Sequence, residues 1–386
     1  MKPIIFNITN IAPLYRAKLW ETLLVSKTFD LHYFFGQNNS LGIKTIDFEQ
    51  NLFQENKHKL HRIKNYWIKG KYLIWQSNAI GSILFRKADM VILLGEFNII
   101  SNWVCAILCR ICNKKVVFHG HGLYGSEKGI KLFLRKTFYS LANENIVYER
   151  RAKKIMVAMG FKPEKIHVMF NSLDYDTHKV LRTKYENLQK SEVLHFFTKP
   201  DALTFIFVGR LTKVKKIDMV IEAIYELKKI GLQCNLLLIG DGTERDNLEK
   251  LAANLLIEGS FHFFGPCYDE DLLGKYLSVS DLCVSPGNVG LTAIHSLSFG
   301  TPVCTHRNFE NQMPEVEALE DEKTGVFFEE NNVSDLVVQL KKWAETTDTR
   351  KKEIGLLCYE IIDNYYNPYY QEKVIANLIS NGKALV

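Results

Sequence analysis

Two stretches in the C-terminal half carry residues suited to holding an anion. The first is VGRLTKVKKID, Val208 to Asp218, where a glycine ends an apolar run and Arg210 and Lys215 follow. A guanidinium is a planar fork of donors and an ammonium is a compact point charge, so the pair suits a diphosphate. A solvated basic loop is the plainer reading, because Lys213 and Lys216 stand beside them. The second stretch is SPGNVGLTAIHSLSFGTPVCTH, Ser285 to His306. Gly287, Asn288 and Gly290 precede a short apolar helix, and His295 lies within it. A helix start has unpaired N–H groups and a partial positive charge, and glycine lets an anion approach the backbone. The expected donors are the N–H groups of Gly290, Leu291 and Thr292. His295 falls one turn further on the same face. There it fits either a packed core position or a contact with a ligand.

Three further clusters carry candidate chemistry. In LLLIGDGTERDNL, Gly240 and Gly242 follow a strand, and Thr243 or Asp246 is placed to cap the next helix. In VVFHGHGLYG, Gly120, Gly122 and Gly125 match GxGxxG, but no helix opens directly from them and no acidic residue closes a strand about 20 positions on, as a dinucleotide site requires. His119 and His121 sit among those glycines at a strand end, where core packing explains little. Cys105, Cys109 and Cys112 have offsets of four and three, which put them on one helix face. Buried, unreactive thiols are the expected state, ahead of an iron–sulfur ligand set.

These residues need a frame. TFIFVG, LLLIG, FHFFG, DLCVS, PVCTH and GVFF read as strands, and the apolar spacings between them read as helices. Ile217, Val220, Ile221, Ile224 and Leu227 mark one such helix. This alternation predicts an α/β, doubly wound parallel sheet, whose ligands lie beyond the carboxyl ends of its strands. The N-terminal half repeats the pattern more loosely, with PIIFNI, FDLHYFFG, DMVILLG, KKVVFHG, ENIVY and KIHVMFN as strands. WVCAILCRIC, IKLFLRKTFYSLA and RRAKKIMVAMG read as the helices between them. The polar stretch Tyr175 to Pro200 separates the halves. The expected division is a lobe at 1–176, a linker at 177–200, a second lobe at 201–360, and a C-terminal helix at 361–386 that packs back on the first lobe.

A chain of 386 residues has ample core for two lobes. Its net charge of +6 is too small to argue for nucleic acid, and no nucleic-acid partner is expected. Pro3 and an apolar strand follow the start directly, so no secretory leader is expected, and the eight cysteines are read as reduced thiols in a cytoplasm. The longest apolar run, Ile99 to Cys112, is too short to span a bilayer. Basic residues with aromatics among them recur in two places. One is Asn56 to Lys71, with Lys57, Lys59, Arg62, Lys64, Lys69, Lys71, Tyr66 and Trp67. The other is GIKLFLRKTFY, with Lys131, Arg135 and Lys136 beside Leu132, Phe133 and Phe138. They suit an anionic membrane surface as a partner, and solvated faces are the plain alternative.

Taken in order, VGRL with Lys215, LLLIGDGTERDNL, FHFFGP, DLCVSPGNVGLTAIHSLSFGTPV and PEVEALEDEKTG resemble the retaining glycosyltransferases of family 4, also called group 1. APLYR, the HGHG loop and KIHVMFNSLD extend the resemblance more loosely through the N-terminal half. It implies a GT-B fold of two Rossmann-like lobes. It also implies transfer of a sugar, with retention, from a nucleotide-sugar donor to a hydroxyl of a lipid-linked or surface-polysaccharide acceptor, at the inner face of a membrane. By the same resemblance Arg210, Lys215 and the backbone of Gly290, Leu291 and Thr292 hold the donor diphosphate. Pro266, Cys267 and Tyr268 lie by the base, His295 by the ribose, and Gly287 and Asn288 by the donor sugar. His121, with His119 second, lies by the reacting sugar. No cofactor and no metal are implied, since cations and a helix mouth stabilise the leaving phosphate. The family carries glutamates at the positions of Gly287 and His295, and this chain carries neither. A nucleotide-sugar epimerase of the same fold and an inactive scaffold in a polysaccharide-assembly complex are therefore the competing expectations.

Overall fold

The computed structural model describes residues 1–36, 43–49, 51–68, 72–255, 258–380 and 385. It divides into two compact units, one of Met1–Asp174 with Asn367–Val386, the other of Tyr175–Tyr366. Each is built on one parallel sheet, in accord with the expected α/β class.

In the first unit the strands are β1 (Ile4–Thr9), β2 (Asp30–Gly36), β3 (Leu60–Ile63), β6 (Met90–Leu94), β7 (Lys115–Gly120), β8 (Glu144–Val147) and β9 (Ile166–Val168). They lie in the order β3-β2-β1-β6-β7-β8-β9, all parallel. A separate antiparallel hairpin pairs β4 (Asn65–Ile68) with β5 (Leu73–Gln76). Strands covered on both faces read as unbroken apolar runs. Val116, Val117 and Phe118 of β7 and Val91, Ile92 and Leu93 of β6 accordingly have almost no solvent contact.

The second unit orders its six strands β12-β11-β10-β13-β14-β15. They are β10 (Leu203–Val208), β11 (Cys234–Ile239), β12 (Phe261–Gly265), β13 (Leu282–Val284), β14 (Val303–His306) and β15 (Gly325–Phe328). Strand order reverses between β10 and β13. At such a switch point the loops after the two strands diverge and leave a crevice for a ligand. The loops after β10 and β11 touch through bare backbone. A Cβ on Gly240 (φ +149°) would sit 1.8 Å from the carbonyl oxygen of Gly209, so only glycine fits.

Three sequence expectations are corrected by packing. The polar stretch 177–200 is not a spacer. Helices Tyr175–Lys184 and Lys190–Val193 belong to the second unit and bury His178, Leu181 and Val193, and Leu194 and Phe197 just after them are buried too. Their other faces are charged, which lowers the mean hydropathy and hides the buried stripe. The return to the first unit falls at Asn367 rather than 361. Helix Asp348–Tyr365 still buries Ile362, then Pro368 opens a new helix, Pro368–Ile379, with Asn367 as its cap. That last helix packs on Ala17–Leu24 of the first unit.

The third correction concerns the basic patches. Arg135 and Phe138 are buried, so neither belongs to a surface patch. Arg135 Nε donates to the Gly122 carbonyl at 2.9 Å, and its guanidinium stacks 4.1 Å from the Tyr124 ring centre beside the Glu127 carboxylate. Lys131 and Lys136 stay exposed on helix Gly129–Ser140, with Ile130, Phe133 and Leu134 exposed among them. The stretch from Asn56 forms β3 and the hairpin; Lys69 and Lys71 lie outside the described residues. Cys105 and Cys109 are buried in helix Ile100–Ile111, where burial pushes both thiols up to about 12.

Within the first unit, Glu144 on β8 is the clearest electrostatic tie. Its carboxylate meets His167 Nε2 on β9 and Lys115 Nζ on β7, the latter at 2.8 Å. Burial alone would raise its pKa, but these two partners outweigh burial and lower it to about 2. A carboxylate depressed in the fold adds stability above its ordinary value near 4.5, and that stability is lost as pH falls towards 2. Glu144→Gln is expected to cost about 2–3 kcal/mol at pH 7. It should also flatten the acid limb of stability between pH 4.5 and 2, read from urea midpoints across pH. An unchanged acid limb would remove Glu144 from that role.

Candidate functional site

The second unit gathers most of the candidate residues beyond the carboxyl ends of β10, β12 and β13. Arg210 follows β10 directly. Its side chain is exposed and makes no hydrogen bond or ion pair among the described residues. Lys215 ends the short helical turn Lys213–Lys215 and is half-buried. Its Nζ donates to the backbone oxygen and to Oδ1 of Asn288, at 2.6 and 2.9 Å. Burial lowers its pKa, the charge of Arg210 lowers it further, and Glu315 partly restores it. Two cations thus follow β10 close enough for one to feel the other's charge, and Lys215 is tied to the loop after β13.

That loop opens helix Leu291–Ser298. Gly290 is its cap, with φ −117° and ψ −136° and no side-chain capping bond. The N–H groups of Gly290, Leu291 and Thr292 donate to nothing among the described residues, while Ala293 N already bonds the Gly290 carbonyl. Thr292 Oγ1 donates to the Val208 carbonyl at 3.0 Å and so pins the helix start to the end of β10. A row of unsatisfied N–H groups at a pinned helix start is an anion site in waiting.

Gly287 is buried and packed against the turn that carries Lys215. A Cβ there would lie 2.1 Å from the Val214 carbonyl oxygen and 2.8 Å from Lys215 Cα. No side chain fits at 287 without moving that turn, which explains in steric terms why the glutamate expected by resemblance is absent. A carboxylate is nevertheless close by. Glu315, in the turn Pro314–Ala318, is buried, and its Oε2 lies 4.0 Å from where a Cβ on Gly290 would stand. The sequence held it inside a matching motif but gave no periodic sign that it turns inward.

His295 is buried one turn into the helix, its ring stacked on His178 at 4.9 Å between centres and 11° between planes. His178 Nε2 bonds Glu270 Oε2 at 2.8 Å. His295 Nε2 lies 3.0 Å from the same oxygen, but off the line of a hydrogen bond, so it has no hydrogen-bond partner among the described residues. Burial raises the pKa of Glu270, yet the two imidazoles outweigh it and hold the carboxyl well below its ordinary range. The ligand atoms of His178, Glu270 and His295 lie within 4.8 Å of one another, a spacing that also admits a metal ion, and the sequence did not point to this trio. Glu270 starts helix Glu270–Ser278, capped by Asp269, directly after Pro266, Cys267 and Tyr268. Pro266 and Tyr268 are exposed, and the Cys267 thiol is raised by burial.

His119 and His121 belong to the first unit, at the end of β7. His119 is buried against Tyr148 at 4.7 Å, and its Nε2 has no hydrogen-bond partner among the described residues. His121 lies 5.0 Å from the same ring. Burial, then Arg135 and Arg16, lower His121 to about 4; burial, then Arg16 and His121, hold His119 well below its ordinary value. Both imidazoles are therefore neutral at pH 7. Arg16 Nη2 donates to Tyr148 Oη at 2.9 Å and closes the cluster.

Comparison with known proteins agrees with this layout. Residues 192–354 match the model of the family described as glycosyl transferases group 1. A GDP-mannose-dependent alpha-(1-6)-phosphatidylinositol dimannoside mannosyltransferase of Mycobacterium tuberculosis is 29% identical over 130 residues, 33% of each chain. An alpha-monoglucosyldiacylglycerol synthase of Streptococcus pneumoniae is 26% identical over 184 residues, 46% of this chain and 40% of that one. The match thus spans well under half the length of these relatives. Anabaena HepE, solved in complex with UDP, shares the fold over 98% of this chain and 100% of its own, with a TM-score of 0.69 at 16% identity. The two Rossmann-like units are those of the GT-B class.

Proposed function

Because residues 192–354 match the model of the glycosyl transferases of group 1, we propose that the chain moves a sugar from a nucleotide-sugar donor to a hydroxyl of a lipid-linked or surface-polysaccharide acceptor, with retention. The observation that supports this reading is that Arg210, Lys215 and three unsatisfied N–H groups lie on the loops after β10 and β13, where strand order reverses, with Lys215 and Thr292 bonded across those loops. These donors take the diphosphate. As the bond from the anomeric carbon to phosphate breaks, they stabilise the charge that develops on the leaving oxygen. The acceptor oxygen bonds the anomeric carbon on the same face, and its proton passes to that leaving oxygen. Gly287 and Asn288 border the donor sugar, Pro266, Cys267 and Tyr268 the base, and His295 the ribose. In the first unit His121, with His119, serves the reacting sugar as a neutral hydrogen-bonding group. No step calls for a resident cofactor.

The curated relatives named above act, by their names, on lipid-borne substrates, which supports a lipid-linked acceptor here. No helix among the described residues is long and apolar enough to cross a membrane. Helix Gly129–Ser140 exposes Ile130, Phe133 and Leu134 beside Lys131 and Lys136, a face suited to resting on anionic lipid. Binding to anionic vesicles is expected to weaken with added salt, and indifference to lipid charge would remove the membrane from the reading.

The decisive experiment incubates the protein with a panel of nucleotide sugars and a lipid-linked acceptor, and reads the product anomer by NMR. Transfer that requires acceptor and keeps the anomeric configuration is expected. Turnover of the sugar nucleotide without acceptor would establish an epimerase instead. Nucleotide binding without any turnover would favour a scaffold, the reading that position 287 keeps in play.

A further inference from the structure

A cavity of about 760 Å³ lies along β3, the edge strand of the first unit's sheet. That volume is ordinary for a small-molecule site. None of the residues placed above at the donor or the reacting sugar lines it. Side chains alternate across a strand, so Arg62 flanks the edge beside Phe35, and His61 flanks the opposite face beside Phe34. Arg86 follows helix Ala79–Phe85 and packs on that second face. Its Nη1 lies 3.3 Å from His61 Nε2, and its guanidinium 5.7 Å from the Phe34 ring centre. Lys57, Arg62 and Arg86 line the cavity against a single carboxylate, Glu49. Lys57 pairs with Glu49 at 3.4 Å. Among the described residues the exposed Arg62 side chain has no partner, and Arg86 meets no carboxylate. The cavity therefore carries uncompensated positive charge. Phe85 lines it as well and is 87% exposed. Cations beside an apolar wall suit a phosphate joined to an alkyl chain.

We propose that this cavity binds the carrier phosphate of a lipid-linked acceptor, with Arg62 and Arg86 on the phosphate and Phe85 against the start of the chain. The inference rests on the lipid-linked reading above and gives that acceptor a point of hold apart from its reacting sugar. Strand order sets the distance between the two points. Passing from β3 through β2, β1 and β6 to β7 crosses four strand spacings, or about 19 Å in all. Strand β7 carries His119 and leads into His121. One sugar ring is shorter than that span, so an acceptor engaging both points carries a short oligosaccharide on its phosphate. Cations also guard open sheet edges against pairing with another chain. A guard, however, needs neither a cavity nor an exposed phenylalanine.

The test measures binding to the full chain by calorimetry, with dodecyl phosphate, inorganic phosphate and dodecyl maltoside as probes, each below its micellar concentration. Dodecyl phosphate has both charge and chain, and it is expected to bind about tenfold or more tightly than either of the others. Arg62→Ala and Arg86→Ala are each expected to weaken it about tenfold, the size of one charge-assisted hydrogen bond. Phe85→Ser should bring it closer to inorganic phosphate. The double variant Arg210→Ala, Lys215→Ala should bind dodecyl phosphate as the wild type does, because those cations belong to the donor site. Equal binding of phosphate with and without the chain overturns the proposal, as does binding that neither arginine variant moves. An Arg62→Ala protein that self-associates yet keeps its dodecyl phosphate binding would make Arg62 an edge guard and overturn it too. In the transfer assay, carriers bearing a short oligosaccharide should outperform carriers bearing one sugar, and the reverse order overturns the proposed reach. No sugar nucleotide enters the binding measurement, so a chain that transfers nothing would bring down the transferase reading without moving this result.

Discussion

Gly287→Glu is expected to destabilise the second unit rather than restore a missing carboxylate. The added Cβ would lie 2.1 Å from the Val214 carbonyl oxygen, against an ordinary contact of about 3.5 Å, and 2.8 Å from Lys215 Cα. Both atoms are backbone, so no side chain can swing aside. The turn Lys213–Lys215 would have to retreat, breaking the bond from Gly287 N to the Lys215 carbonyl and drawing Lys215 Nζ off Asn288. Overpacking costs roughly 1–3 kcal/mol, and each lost hydrogen bond about 1 kcal/mol more. A total near 3–5 kcal/mol is a large part of the stability of a domain this size. Urea unfolding should show most of the loss already in Gly287→Ala, because the Cβ and not the carboxylate makes the clash. A Gly287→Glu protein with wild-type stability would contradict the packing of this loop.

The second large effect concerns binding. Arg210→Ala and Lys215→Ala each remove a charged donor from the proposed diphosphate site, a loss of about 1.5–3 kcal/mol apiece. The double variant should therefore bind a nucleoside diphosphate roughly a hundredfold to ten-thousandfold more weakly, measured by calorimetry at low salt. The two single variants should differ in stability. The Arg210 side chain is exposed and bonded to nothing among the described residues, so its loss leaves the fold untouched. Lys215 holds the Asn288 carbonyl, so its loss should also loosen the loop after β13. Unchanged binding in the double variant would mean that the anion sits elsewhere and that the proposed function has lost its site.

Much of this layout was legible in the sequence where one physical signal dominated. The inner strands of the second unit, β10, β11, β13 and β14, stood out because strands covered on both faces must be apolar throughout. The loops at their ends stood out because glycine has few other reasons to follow a strand. What escaped notice depended on partners distant in sequence. Strand β3 and the hairpin were hidden in a run of basic residues, since an edge strand buries few positions and leaves a residue such as Arg62 in water. Arg135 looked like part of a charged surface because its partners Gly122, Tyr124 and Glu127 lie on a neighbouring loop, not on its own helix. The approach of Glu270 to His178 and His295 joins residues 92 and 25 positions apart, and no local pattern encodes such a meeting.

The first unit takes its final helix from the end of the chain, after the whole of the second unit has been laid down. On the ribosome, then, the N-terminal sheet must wait, with the face of Ala17–Leu24 uncovered, until Pro368–Ile379 emerges to close it. The second unit, being continuous, can fold before its host is finished. A nascent chain released early would expose apolar surface on the unit that began first, and quality-control proteases would meet the N-terminal half as the late folder.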